Sequence, residues 1–271
     1  WAQVIVGRSE FKLMGQAPAD FPELPDPTKG VKFTRVPSHI LADLIQKTQF
    51  SVSTDEARVN LNGVLFESNG ELGTMVSTDG HRLTKLSLPL AGPKLERGII
   101  IPRKGMLEIK RVLDRLSGEV GIAVDGQHLF VQADELTLSV KLNNVVFPPY
   151  EQVIPRDHKR RVTALRDELI DALRRAEVMA PEKTATVRVQ LASGSLQLTA
   201  DNPDLGVAHQ EIEIEYQGEP LVAGFNARYL IEMGEETGSP GLAAVCREHR
   251  DALAADLFIG SDGPRLSETR P

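Results

Sequence analysis

The sequence predicts an α+β protein assembled from a repeated domain. Three observations carry that reading: short runs of alternating apolar residues outnumber helices, amphipathic helices interrupt them at regular places, and one order of elements occurs twice. The first block reads as strand, helix, three strands, helix, three strands, and the second begins in the same order. Landmarks keep a nearly constant offset, since Leu41 and Leu169 are 128 positions apart, Thr78 and Ala200 are 122 apart, and Pro102 and Phe225 are 123 apart.

Taken in order, residues 2–13 alternate around a turn at Gly7, with Val4, Ile5 and Val6 before it and Phe11 and Leu13 after it. The stretch 17–27 can form neither helix nor central strand, because its prolines lack amide protons, and it reads as a connector. Residues 31–36 form a short strand. Ser38 is the expected N-cap of a helix to about Gln49, with Ile40, Leu41, Leu44 and Ile45 on one face. Strands are expected over 62–68, 72–78 and 81–90. After Ile99-Ile100-Ile101-Pro102, a second helix over 104–116 carries Met106, Leu107, Ile109, Val112, Leu113 and Leu116. Strands over 120–124, 128–133 and 136–142 close the block.

The second block opens with a strand at 161–165 and a helix at 167–179, with Leu169, Ile170, Leu173 and Ala176 inward. Strands over 186–191, 195–200 and 206–216 follow, and Leu221 to Phe225 leads into a helix beginning near Asn226. From Gly234 the pattern fails. Gly234, Gly238, Pro240 and Gly241 stand where the first block keeps an uninterrupted helix, and no closing strands are legible after Ala243. The expected boundaries are 1–28 for the end of one domain plus the connector, 29–157 for a whole domain, and 158–271 for a last domain, atypical or disordered from about 234.

A length of 271 residues suits about two domains, and 41% hydrophobic with 25% charged residues is ordinary for a packed protein. No run approaches the roughly 18 apolar residues of a membrane helix. The opening Trp1-Ala2-Gln3-Val4 has no basic stretch, apolar core or cleavage site, and the missing initiator Met points to residues upstream. One cysteine, Cys246, excludes an internal disulfide framework and suits the cytoplasm. A net charge of -7 does not advertise a nucleic-acid binder, although a local basic face can act within an acidic chain.

Five stretches together closely resemble the beta subunit of bacterial DNA polymerase III, the sliding clamp. They are Leu61-Asn62-Gly63-Val64-Leu65-Phe66-Glu67, Ser77-Thr78-Asp79-Gly80-His81-Arg82-Leu83, Ile101-Pro102-Arg103-Lys104-Gly105, Phe147-Pro148-Pro149-Tyr150-Glu151-Gln152-Val153-Ile154-Pro155 and Gly224-Phe225-Asn226-Ala227-Arg228-Tyr229-Leu230. Their order and spacing match the family over roughly residues 1 to 233. The resemblance implies repeated DNA-clamp domains, with helices lining a hole for duplex DNA and sheets outside. It also implies a head-to-tail homodimer, three domains per chain in intact members, and a role as a processivity factor without catalysis or cofactor. The implied partners are duplex DNA, held without regard to sequence, the polymerase alpha subunit, the clamp loader (which uses the ATP), and other proteins with a clamp-binding motif. Most of a first domain and the family's Met-Pro-Met end have no counterpart here.

By the same resemblance, a cleft for partner peptides would use Leu61, Thr78, Gly80, His81, Arg82, Leu83, Pro148, Gln152, Val153, Asn226 and Tyr229. Apolar floor residues would bury anchors from the peptide while a few polar groups set its orientation. Gln152 stands where many relatives carry a basic residue. From spacing alone, Asp79-Gly80 reads first as a hairpin turn with the leucines in a core, and the resemblance is what turns the reading to binding. DNA contacts are expected from Arg103, Lys104, Lys110 and Arg111 on the second helix and from Arg174, Arg175 and Lys183 around the third. Lys104, Arg111 and Arg115 share a helical face, which also fits an ordinary solvated helix.

Rival readings are few. A peptide-binding adaptor that cannot close a ring keeps the cleft alone. A hydrolase using His81 as base needs a positioned partner that no motif supplies. Cys246 and His249 make only half of a zinc spacing, and His249-Arg250-Asp251 lacks the companion motifs of a kinase. His39, His128, His158 and His209 are scattered, and no phosphate-binding loop, dinucleotide fingerprint or zinc-protease pair occurs.

Overall fold

The computed structural model describes residues 1–21, 25, 27, 30–154, 161–237, 241–245 and 258–259. The chain divides into two units, Trp1–Lys32 and Phe33–Pro271. In the first, β1 (Ala2–Val6) pairs antiparallel with β2 (Ser9–Leu13). Ala2 faces Leu13 and Val4 faces Phe11, which gathers these four side chains on one face of the hairpin. A short 3-10 turn, Pro18–Asp20, lies in the connector.

The second unit opens with β3 (Thr34–Pro37), α1 (Ser38–Gln49), β4 (Gly63–Ser68), β5 (Leu72–Thr78), β6 (Leu83–Pro89) and β7 (Ile99–Pro102). It continues through α2 (Arg103–Leu113), β8 (Glu119–Asp125), β9 (His128–Ala133) and β10 (Leu136–Lys141). The order then recurs as β11 (Arg161–Leu165), α3 (Arg166–Glu177), β12 (Thr186–Ala192), β13 (Ser195–Asn202), β14 (Gly206–Glu213) and β15 (Leu221–Asn226). Next come α4 (Ala227–Thr237), β16 (Gly241–Val245) and β17 (Phe258–Ile259). The sheets run β6-β5-β4-β7, β10-β9-β8-β3, β14-β13-β12-β15 and β11-β16-β17. The first and third have the same connectivity, and the fourth repeats the β3-β8-β9 part of the second. Helix lengths repeat too, with 12 residues in α1 and α3 and 11 in α2 and α4.

Four strands, not three, separate the two helices of each block. Ile99–Pro102 is a full strand because it pairs antiparallel with β4, Ile100 opposite Leu65. Ser38 is not the N-cap of α1. Pro37 occupies that position, and the Ser38 amide donates to the Gly118 carbonyl at 2.8 Å as the chain leaves the sheet. The second helix ends at Leu113, since the Arg115 and Leu116 amides turn back to Val112 and Leu113 in a tightened final turn. Arg115 therefore lies beyond the helix carrying Lys104 and Arg111. The strand expected from His81 begins at Leu83, because residues 79–82 form the turn.

The failure expected at Gly234 does not occur there. Helix α4 continues through Gly234, which packs on α3 so closely that a Cβ would lie 2.9 Å from the Ile170 side chain. Glycine at this position permits helix contact and does not break the helix. The strand Gly241–Val245 then pairs with β11 in full register.

Each block buries a core shared by its helices and both its sheets. The first includes Val36, Leu41, Leu44, Ile45, Val64, Phe66, Met75, Ile101, Met106, Ile109, Ile122 and Val131. The second includes Leu169, Ile170, Leu173, Val187, Leu191, Leu198 and Phe225. Burying such side chains contributes about 1.5–3 kcal/mol each, far more than any exposed ion pair, so these stripes set the architecture. Because strand neighbours alternate faces, Leu65 and Ile100 point away from the helices. There they join Val76, Phe147 and Tyr150 in a separate outer cluster, with Leu83 and Ile154 against it. That cluster fastens the segment after β10 across the outer face of the first sheet. Among the described residues no helix is long and apolar enough to cross a membrane.

Candidate functional site

The turn between β5 and β6 is built by its own side chains. Asp79 Oδ1 accepts from the His81 amide at 2.9 Å and the Arg82 amide at 3.0 Å. Thr78 Oγ1 donates to the Arg82 carbonyl at 2.6 Å and accepts from the Gly80 amide at 3.1 Å. Gly80 has φ +91°, a conformation that strains any L side chain. The turn reading and the site reading are thus compatible, for this rigid turn projects His81 and Arg82 toward α4.

Arg82 is the hub. Its Nη2 donates to the Phe50 carbonyl at 2.7 Å, closing the end of α1, and its Nε donates to Asp79 Oδ2 at 3.2 Å. Its Nη1 lies 2.6 Å from Glu232 Oε2 on α4, an ion pair whose direction falls outside a formed hydrogen bond. The guanidinium also lies over two rings, 4.4 Å from the centre of Tyr229 and 5.4 Å from Phe50. With its side chain 17% exposed, Arg82 is largely withdrawn from water, where cation–π contact is strongest. The exposed His81 ring stacks on Tyr229, centroids 6.3 Å apart and planes 26° apart.

Tyr229 is placed by the start of α4. Asn226 Oδ1 accepts from the Arg228 amide at 2.9 Å and more weakly from the Tyr229 amide at 3.4 Å, capping the helix. Burial first, and then the Asp79 carboxylate, raise the Tyr229 phenol above its ordinary pKa, with Arg82 opposing. The phenol therefore stays protonated and can donate.

The remaining cleft candidates lie on three further elements. Half-buried Leu61 closes the loop after α1; its carbonyl accepts from the Ser53 amide, and Arg58 from the same loop reaches the Asp79 carbonyl at 3.4 Å. Leu83 lies against the outer apolar cluster. Pro148, Gln152 and Val153 belong to the segment fastened there by Phe147, Tyr150 and Ile154; Gln152 is exposed and Val153 is 53% exposed. The structure thus brings Thr78, Gly80, His81, Arg82, Asn226 and Tyr229 into one cluster, with Leu83 linking it to the Pro148–Val153 segment.

Sequence reading missed Phe50, Glu232 and Tyr150. Glu232 carried a signal, since it stands one helical turn after Tyr229 on the same face. Phe50 carried none, because only the fold returns the end of α1 to this turn.

Among the described residues no catalytic constellation forms at His81. Its ring meets Tyr229, and no carboxylate among those residues is hydrogen-bonded to it. Cys246, His158 and His249-Arg250-Asp251 lie outside the described residues.

The basic candidates separate into two kinds. Helix α2 carries Arg103, Lys104, Lys110 and Arg111 against one carboxylate, Glu108. Arg103 and Lys104 are exposed, Arg111 donates to Glu108 at 2.7 Å, and Lys110 bonds Asp114 at 2.9 and 3.0 Å. In α3 the cations Arg166, Arg174 and Arg175 face four carboxylates, and α4 holds Arg228 against three. Arg174 is engaged by Asp171 at 3.5 Å and Glu235 at 2.5 Å, Arg175 donates to Gln210 at 2.7 Å, and Lys183 is exposed.

Residues 35–149 match the family model of the DNA polymerase III beta subunit, central domain, and residues 151–236 match that of its C-terminal domain. The beta sliding clamp of Pseudomonas aeruginosa is 38% identical over 231 residues, covering 85% of this chain and 63% of that protein. A crystal structure of the DNA polymerase sliding clamp from the same organism superposes with a TM-score of 0.83 at 33% identity, over 96% of this chain and 71% of that one. A Pseudomonas aeruginosa sliding clamp bound to griselimycin gives a TM-score of 0.80 at 35% identity, over 90% of this chain and 66% of that one. The chain therefore spans about 63% of the length of the curated relative it matches.

Proposed function

This chain belongs to the family of DNA polymerase III beta subunits, the sliding clamps, and from that membership we propose that it acts in replication as a processivity factor. Residues 29–157 and 158–271 would be its middle and C-terminal domains. It would encircle duplex DNA as a head-to-tail dimer in the cytoplasm, without catalysis, and present a cleft to the polymerase alpha subunit, the clamp loader and other partners. The observation that carries the reading is the Arg82 hub, which joins the β5–β6 turn of one repeat to Tyr229 and Glu232 of the next. A firm, partly apolar surface between two repeats, with few oriented polar groups, is the kind of site that takes buried peptide anchors.

DNA would be held through phosphates alone. A protein that must slide gains from charge and loses from reading base edges. Helix α2 supports that role best, since its four cations exceed its one carboxylate, whereas carboxylates outnumber cations on α3 and α4.

The test is fluorescence anisotropy with a labelled synthetic peptide carrying a glutamine and an aliphatic–aromatic end. Saturable binding in the micromolar range, on the order of -8 kcal/mol, displaced by griselimycin and weakened in Leu83→Ala, is the expected result. A folded sample that does not bind overturns the cleft. A second reading, a peptide-binding adaptor without ring closure, needs only the candidate cleft, all of whose residues lie within the unit Phe33–Pro271. Size measurement across concentration separates the two, because a ring requires a defined oligomer.

A further inference from the structure

We propose that the Tyr150 hydroxyl, held by Glu67, is the pin that fixes the peptide-facing wall formed by Pro148, Gln152 and Val153. Tyr150 and Glu67 are then positioning residues for partner recognition, an inference that rests on the cleft reading above.

The strap of residues 147–154 crosses the outer face of the sheet β6-β5-β4-β7. Its Phe147, Tyr150 and Ile154 meet one residue from each strand: Leu83, Val76, Leu65 and Ile100. These contacts hold the strap down on the sheet, but apolar contact has little directionality and does not fix sideways position. Among the described residues, the strap also borders open volume. Residues 142–152 border a cavity of about 670 Å³, whose other walls include Leu65, Glu67, Arg97 and Ile100. A wall with open volume behind it can retreat when a ligand presses on it.

One directional bond opposes that retreat. Tyr150 Oη donates to Glu67 Oε2 at 2.8 Å, and Glu67 is on β4, near the middle of the sheet. Lys85 on β6 places its ammonium 5.2 Å from the centre of the same ring. The ring is thus held from two strands, and the residue is only 8% exposed. Burial, followed by the Glu67 hydrogen bond and charge, raises the phenol pKa, so the donor proton stays in place over the ordinary pH range. The ring's position passes to the wall through the backbone. The Gln152 amide donates to the Pro149 carbonyl at 3.2 Å and the Val153 amide to the Tyr150 carbonyl at 3.1 Å, closing one 3-10 turn.

The experiment uses the full chain and the labelled peptide described above, with Tyr150→Phe, Glu67→Ala, Glu67→Gln and the double variant Tyr150→Phe/Glu67→Ala. Removing a hydrogen bond to a carboxylate should weaken peptide binding by about three- to tenfold. Tyr150→Phe and Glu67→Ala should do so equally, and the double variant no more than either. Glu67→Gln, whose amide oxygen still accepts, should restore most of the affinity. Amide hydrogen exchange at Gln152 and Val153 should quicken in the two weakened variants and not in Glu67→Gln. A lowered melting temperature with unchanged affinity and exchange in the folded protein would assign Tyr150 to stability alone and overturn the pin. If the parent chain does not bind the peptide, the cleft reading falls and the recognition role with it. The exchange measurement then still shows, independently, whether the hydroxyl holds the strap.

Discussion

The guanidinium of Arg82 lies 4.4 Å from the centre of the Tyr229 ring, joining a turn of the first repeat to a helix of the second. The same group satisfies the Phe50 carbonyl and pairs with Asp79 and Glu232. A cation on a short turn thereby ties together α1, β5 and α4.

Replacing Arg82 by alanine should therefore cost stability as well as peptide affinity. The Glu232 side chain is 46% exposed, so that pair contributes little after solvent screening. The ring contact and the hydrogen bond to the Phe50 carbonyl together suggest a loss of about 1–3 kcal/mol. Arg82→Lys should recover only a small part, because an ammonium lacks the planar fork and the stacking face. Urea unfolding of the three proteins measures this, and equal midpoints for parent and Arg82→Lys would refute the stacking argument.

Much of this arrangement is legible in the residues taken in order, and the reason is physical. Periodic apolar positions specify which face of a helix is buried, so Leu41, Leu44 and Ile45 mark the core by pattern alone. The helix at α3 is equally plain from Leu169, Ile170 and Leu173. What local pattern cannot show is which surfaces meet after folding. Phe50 looks like any helix-end residue until the chain returns Arg82 to its carbonyl 32 positions later. Glu67 and Tyr150, 83 positions apart, are invisible as a pair for the same reason. Gly234 misleads because a glycine gives one signal, a missing side chain, whether it ends a helix or lets two helices touch.

Two tyrosines should resist ionisation. Burial raises the phenols of both Tyr150 and Tyr229, and nearby carboxylates, Glu67 and Asp79, add to it. A phenol whose folded pKa lies above the unfolded value of 10.0 leaves stability intact below that pH and removes it as pH rises through the folded value. Unfolding free energy should therefore decline above pH 10, and less steeply in Tyr150→Phe. Ultraviolet titration of phenolate checks the cause. If all three tyrosines of the chain ionise together near pH 10 in the folded protein, the desolvation argument is wrong.

Charge reversal should separate the basic helices. Lys104→Glu with Arg111→Glu should reduce retention on circular DNA and lower the slope of log affinity against log salt by roughly 0.9 for each phosphate no longer neutralised. Arg174→Glu should do much less, because Arg174 already faces Asp171 and Glu235. Equal losses from both changes would mean that the local balance of charge on α2 does not govern DNA binding.

The close approach of α3 and α4 makes Gly234 a sharp test of packing against propensity. Alanine in a helix is favoured over glycine by about 1 kcal/mol, so Gly234→Ala should stabilise the protein if nothing stood in the way. A new methyl group would lie 2.9 Å from both Cγ1 and Cδ1 of Ile170, which is itself buried in the second core. Overpacking of this kind costs about 1–3 kcal/mol, since two carbons of one side chain must move into a filled interior. The net change should be a destabilisation of up to about 2 kcal/mol. Adding Ile170→Val, which removes Cδ1, should recover part of it, so the two substitutions should be non-additive in urea unfolding. A more stable Gly234→Ala protein would show that the helices yield readily, and that the glycine is not needed for their close packing.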